Sequence, residues 1–324
     1  MVAKILLLLV VPCFLFMQTY ATTRVLIVGK VMLQVEGCHE VRACSTRLRN
    51  PVSKRDVFAN YYNNQQHWVS LKGDVIIKGC YVVRNCRHGH LGSMGNPASS
   101  CKAIKNDRKS AKSGVYYIKT HRTVTKVYCY MEDISGCGGG GWTTIMKTNG
   151  NKKTFPYSSA FWSNKKSYKL TNGQSGVDDK ETKLPTYWTL PFKSLCLGMK
   201  TAGQKNPRWI RLDYKASSLY SVIADGKYRQ VSIGRKKWMS LIAGSSLQTN
   251  CNKEGFNVIS NYKTGYFSIV RIGISSNNEN DCKTNDSHLG FGGDNYKTNC
   301  RAGKISTGNC AKKNHPAYGY ILAQ

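Results

Sequence analysis

With 324 residues, 41% of them hydrophobic and six tryptophans among them, the chain has apolar material for one large domain and a small one, which excludes a disordered or fibrous protein. Its net charge of +31, from 48 basic and 17 acidic residues, is suited to polyanionic partners. None of the usual nucleic-acid recognition motifs occurs, so nucleic acid is not the expected partner.

The first residues read as an export signal. Lys4 gives a small positive start, and Ile5 to Met17 is an apolar run of 13 residues. That is too short for a membrane span, which needs ~20 residues, and suits the core of a signal peptide. Thr19 and Ala21 are small residues at the −3 and −1 positions of a cleavage after Ala21, which gives a leader over 1–21. An N-terminal membrane anchor is the competing reading. No later stretch is long and apolar enough to span a bilayer, and the final Tyr318–Gln324 segment does not resemble a lipid-anchor signal. The mature chain is therefore expected to be secreted, extracellular and not membrane-embedded.

Cysteine usage agrees. Of 13 cysteines Cys13 leaves with the leader, and 12 remain. An even number in an exported chain reads as a set of disulfides. Metal binding would want C-x2-C pairs, and the chain has none. Removing Lys4 leaves a net charge of +30, spread along the chain. Extracellular glycans, acidic matrix polymers and microbial surfaces are the partners such a charge can meet outside cells. Compositional drift towards Lys and Asn would give the same excess.

Residues 22–97 read as a small cysteine-containing module. It opens on a strand-like run, Val25–Val28, and carries two similar units, Cys38–Cys44 and Cys80–Cys86, both of the form C-x2-V-R-x-C. A duplicated unit, a strand pair linked by disulfides and chance are all open. The Gly-, Ser- and Pro-rich stretch of 87–100 reads as the boundary loop.

From residue 98 strands dominate. Val115–Ile118 and Val124–Cys129 read as consecutive strands, rich in β-branched and aromatic residues. Ile210, Leu212 and Tyr214 alternate with Arg211, Asp213 and Lys215, the period of a half-buried strand. Glycine clusters at Gly138–Gly141 and Gly290–Gly293 predict tight turns or close backbone approach.

Four elements in order then carry a resemblance: Cys101, Ser113-Gly-Val-Tyr-Tyr-Ile118, Val127-Tyr-Cys-Tyr-Met-Glu132 and Gly138-Gly-Gly-Gly-Trp-Thr143. Together they resemble the opening of a fibrinogen C-terminal-like domain. Further stretches, among them Glu181–Trp188, Ser218–Arg229 and Cys251–Asn257, resemble a cnidarian branch of secreted fibrinogen-related proteins that includes a skeletal organic matrix protein of stony corals. The resemblance covers about residues 98 to 305. It implies an α+β, β-rich fold over 98–324, beside the small disulfide-linked N-terminal module, and a non-enzymatic function. It also implies that Cys101 pairs with Cys129.

In the wider family, which includes intelectin-type lectins, ligand binding clusters near the C-terminus around calcium. The corresponding stretch here is 275–294. Glu279, Asp281, Asp286 and Asp294 are the tentative calcium ligands, with Asn277 and Asn280 as further oxygen donors. The stretch departs from the family: Lys283, Asn285 and Asp286 stand where the intelectin ligand pattern would fall. A polar loop bounded by Cys282 and Cys300 is the alternative to a calcium site. Asn285-Asp-Ser287 is the single glycosylation sequon, so a glycan on Asn285 would crowd this stretch.

The chain carries no nucleophile elbow, zinc-protease motif or Walker loop. Asp178, Asp179 and Glu181 offer neighbouring carboxylates of the kind glycosidases use, and His88-Gly-His90 a metal-binding pair. Surface charge and a solvated linker are the expected explanations, and no enzyme activity is expected. Two functions follow: lectin-like recognition of glycans or acidic groups, with or without calcium, and a structural matrix role through the basic surface. The sequence is silent on oligomeric state.

Overall fold

A computed structural model describes residues 90–120, 123–260, 267–296, 305–311 and 314–324, with strand backbone alone at 267 and 296 and in the segments before residue 90. The chain divides into two units, 1–97 and 98–324.

In the first unit, β1 (Met17–Thr19), β2 (Thr23–Ile27) and β7 (Ile76–Ile77) form one small sheet. A second contains β3 (Met32–Val35), β5 (Val57–Tyr61) and β6 (His67–Leu71). The two C-x2-V-R-x-C units supply an antiparallel pair. In it β4 (Val41–Cys44) lies against β8 (Cys80–Val83), with Cys44 opposite Cys80. The side chains of these cysteines, and Cys38 and Cys86 altogether, fall outside the described residues.

The described residues of the second unit are β-rich, with two antiparallel sheets and four short α-helices. Ser100 starts α1 (Cys101–Asp107): its hydroxyl accepts from the Ala103 amide at 3.1 Å and satisfies one of the helix's orphan donors. Then come β9 (Gly114–Thr120), β10 (Thr123–Tyr130) and β11 (Trp142–Asn149). The Gly138–Gly141 run is a tight entry into β11. A side chain at Gly140 would sit 1.7 Å from the Met131 carbonyl oxygen, and Gly141 has φ +98°. The seven-stranded sheet runs β14–β13–β21–β11–β10–β9, built with β13 (Phe192–Lys200), β14 (Arg208–Ala216) and β21 (Tyr318–Ala323), and β12 (Thr182–Lys183) pairs with β11. β11 lies inside the sheet and is buried along its whole length.

The second sheet has six strands in the order of the chain. They are β15 (Arg229–Gln230), β16 (Asn250–Val258), β17 (Phe267–Asn277), β18 (Ser287–Tyr296), β19 (Thr307–Cys310) and β20 (His315–Pro316). One core joins the two sheets. Ile145, Leu197, Ile210 and Leu212 enter it from the first, and Phe256, Ile272, Leu289 and Phe291 from the second. The short helices α2 (Thr186–Thr189), α3 (Leu219–Ile223) and α4 (Arg235–Met239) add Tyr187, Leu219 and Trp238. The alternation of β14 is as its sequence predicts: Ile210 and Leu212 are buried, and Tyr214 packs edge-on against Phe256. The opposite face of the seven-stranded sheet has a smaller core of Ile134, Cys137, Trp142, Cys196 and Leu322.

Among the described residues, the disulfides Cys101–Cys129, Cys137–Cys196 and Cys251–Cys282 fasten this unit. Cys310 is also disulfide-bonded. Cys282 therefore does not close a loop with Cys300, which itself lies outside the described residues. It reaches back to the strand before β17. Among the described residues no helix is long and apolar enough to cross a membrane.

Candidate recognition site

β17 and β18 form a long hairpin whose register runs from Phe267 opposite Tyr296 to Ser276 opposite Ser287. The stretch singled out from the sequence is the connection between them, residues 278–286, together with β18. Side chains shape the connection from within. Asn277 accepts from the Asn278 amide at 3.0 Å and donates to the Asp281 carbonyl at 3.0 Å. The Asp281 carboxylate accepts from the Lys283 amide at 2.7 Å, and the Asp286 amide returns to the Ser276 carbonyl at 2.9 Å. Short polar side chains here do what they do in turns, replacing strand hydrogen bonds with local ones.

Three of the four predicted carboxylates lie in this connection. Glu279 is exposed and accepts from the Asn278 side chain at 2.7 Å. Asp286 is half-buried. Burial, and then the neighbouring charge of Glu279, push its carboxyl above the ordinary carboxylate range. Asp294 does not join them. It lies eight residues further along the chain than Asp286, within β18 and opposite Ile269. It is only 5% exposed, and its carboxylate accepts from the Asn295 amide. The four predicted carboxylates are thus divided between the connection and a buried position within β18. Among the described residues no group of three or more His, Cys, Asp or Glu side chains is arranged to hold a metal ion.

Beneath the connection runs a buried polar seam that the sequence did not announce. Asn285 is fully buried, and its amide nitrogen donates to the Ser275 hydroxyl at 2.9 Å. The glycan acceptor atom of the sequon therefore faces the protein interior. A glycan on it is incompatible with this packing. Ser275 lies 2.7 Å from the Ser268 carbonyl, and the Ser268 hydroxyl is hydrogen-bonded to His288 Nδ1 at 2.5 Å. His288 is wholly buried. Desolvation lowers its pKa to about 4, so the ring is neutral at physiological pH. Its Nε2 lies towards the Ile305 carbonyl but outside hydrogen-bond geometry. Gly293 explains the fit, because a side chain there would sit 2.3 Å from Nε2. Period-2 alternation of Ser, His and Gly along β17 and β18 was the available signal, and it resembles loop composition too closely to be read alone.

The neighbouring carboxylates that resembled a glycosidase pair are each held by a structural partner. Asp178 pairs with the buried Lys147 at 2.7 Å and also accepts from Ser175. Asp179 pairs with Lys200 at 2.8 Å. Glu181 is buried and accepts from the Asn149 amide at 3.1 Å and the Thr154 hydroxyl at 2.7 Å. His90 is exposed, and His88 lies outside the described residues.

No family model matches the chain. A stretch of 73 residues is 38% identical to Echinolectin 1 of Echinometra lucunter. It covers 22% of this chain and 29% of that relative, so the chain spans less than a third of the relative's length. Over that stretch the chain is similar to a protein whose name marks it as a lectin.

Proposed function

We propose that this chain is a secreted, non-enzymatic recognition protein that binds extracellular glycans or acidic surface groups in the manner of a lectin. The similarity to Echinolectin 1 carries this reading. Its two antiparallel sheets and its Cys101–Cys129 bridge support a fibrinogen C-terminal-like fold for residues 98–324. The binding surface is the connection of residues 277–286, a polar loop pinned by a disulfide, with Asn278, Glu279, Asn280 and Lys283 exposed. Calcium, where it takes part, would draw on Glu279 and Asp286, with loop carbonyls, side-chain amides and water completing its shell, and not on the buried Asp294. It would supply a fixed positive charge to which sugar hydroxyls or acidic groups bind directly.

A second reading has its own observation. The net charge of +31 suits a structural matrix component that gathers acidic macromolecules without a defined site. The two readings separate in one assay: binding of the purified chain to a glycan panel, with calcium and with chelator, at two salt concentrations. Selective binding that survives added salt supports the lectin. Binding to every acidic polymer, lost steeply with salt, supports the matrix component.

A further inference from the structure

The outer face of the β9–β10 hairpin carries a strip of side chains that the fold does not cover. Register pairs Lys119 with Val124, Tyr117 with Lys126, and Val115 with Tyr128. Strand alternation puts all six on one face, while Ile118, Thr120, Thr125 and Val127 point inward and are buried. Val115 and Val124 are 44% and 48% exposed. Val177, 38% exposed, follows Gly176, whose backbone lies against the Tyr128 ring. Three of the five large apolar side chains exposed among the described residues therefore gather here. Lys119 and Lys126 are exposed and have no carboxylate partner among the described residues, and Lys126 lies over the Tyr117 ring at 5.4 Å. Glu132, whose charge reaches Tyr128, is held by Ser113 at the base of the hairpin.

We propose that this strip binds a linear anionic polysaccharide, bearing sulfate or uronate groups. Its apolar and aromatic side chains suit the C–H faces of sugar rings, and its two free lysines suit the anionic groups along the same chain. The strip is two strands wide and about 14 Å long, roughly 140 Å², far below the ~800 Å² per partner of a stable protein interface. An extended peptide cannot add to β9 as a further strand at this point, because Ala98 already occupies that edge. Its amide donates to the Tyr117 carbonyl at 3.0 Å, and its carbonyl accepts from the Lys119 amide at 2.7 Å. The ligand must lie on the side chains. The strip belongs to a different sheet from the 277–286 connection and does not depend on it.

The test uses the full secreted chain and heparin as probe. Lys119→Glu with Lys126→Glu is compared with a control of equal charge, Lys236→Glu with Lys237→Glu on α4, where both lysines are exposed. The hairpin pair should weaken heparin binding about tenfold and the control less than about twofold, with unchanged melting temperatures. Tyr117→Ala should weaken it about threefold further at high salt, where lysine charge is screened. Equal losses from the two lysine pairs would overturn the proposal in favour of net charge. Equally hairpin-dependent capture of polyglutamate would overturn the choice of a saccharide.

Discussion

Cys282, in the connection after β17, is bonded to Cys251, at the start of β16. The bridge spans the β16–β17 hairpin and holds the carboxylate-bearing connection against a neighbouring strand. Closing a loop of sequence separation 31 restricts the unfolded chain by about 3–4 kcal/mol in the chain-entropy account. Cys251→Ala with Cys282→Ala should lower stability by roughly that amount in denaturant titration. Glycan binding should fall more than it does in the Cys101→Ala, Cys129→Ala variant, whose bridge lies in the other sheet.

His288 gives a pH signature. Its folded-state pKa of about 4 lies below the ordinary value of 6.5, so the unfolded chain binds the extra proton first. The stability this neutral ring contributes is intact above about pH 6.5 and is lost as pH falls towards 4. The loss is on the order of 3 kcal/mol. Denaturation midpoints measured between pH 7 and pH 4 should fall more steeply for the native chain than for His288→Gln.

Lys147 and Asp178 form the ion pair beneath the 175–179 segment, with the lysine side chain 1% exposed. Burial pushes the Asp178 carboxyl up, but hydrogen bonds from Lys147, Ser175 and the Lys180 amide outweigh it and hold the group below its ordinary range. Lys147→Met leaves that carboxylate unpaired and should cost about 2–3 kcal/mol by thermal or chemical unfolding. Lys147→Met with Asp178→Asn should cost less than the two single changes added together.

Asn285 faces Ser275 from inside the fold. The mass of the secreted chain should therefore be unchanged by an N-glycan-releasing enzyme. Asn285→Asp should destabilise it, because a charged carboxylate at a fully buried position loses its hydration.

Much of the architecture was legible where periodicity carried it. The alternation of Ile210, Leu212 and Tyr214, the paired runs of β9 and β10, and the glycine turn before Trp142 all appear as read. The repeated C-x2-V-R-x-C units had three open readings, and their strands lie antiparallel as β4 and β8. The site was less legible for a definite reason. Composition placed Asp286 and Asp294 in one acidic loop, whereas Asp286 ends the connection and Asp294 is a buried residue of β18. A run such as Ser-His-Leu-Gly-Phe-Gly-Gly has little β propensity of its own. It is a strand because Gly273 and Gly290 face each other across β17 and β18, so closely that a side chain on either would strike the opposite backbone at 2.2 Å. The Cys251–Cys282 pairing had no local signal, since connectivity follows from the folded sheet.

The most direct test of the recognition loop is glycan-panel binding of four proteins: the native chain, Glu279→Gln, Asp286→Asn and Asp294→Asn, each with calcium and with chelator. The account predicts that native binding is selective and falls about tenfold or more in Glu279→Gln and Asp286→Asn, while Asp294→Asn binds as the native chain does. Binding that all three variants share with the native chain, or that Asp294→Asn alone abolishes without loss of folding, would contradict it.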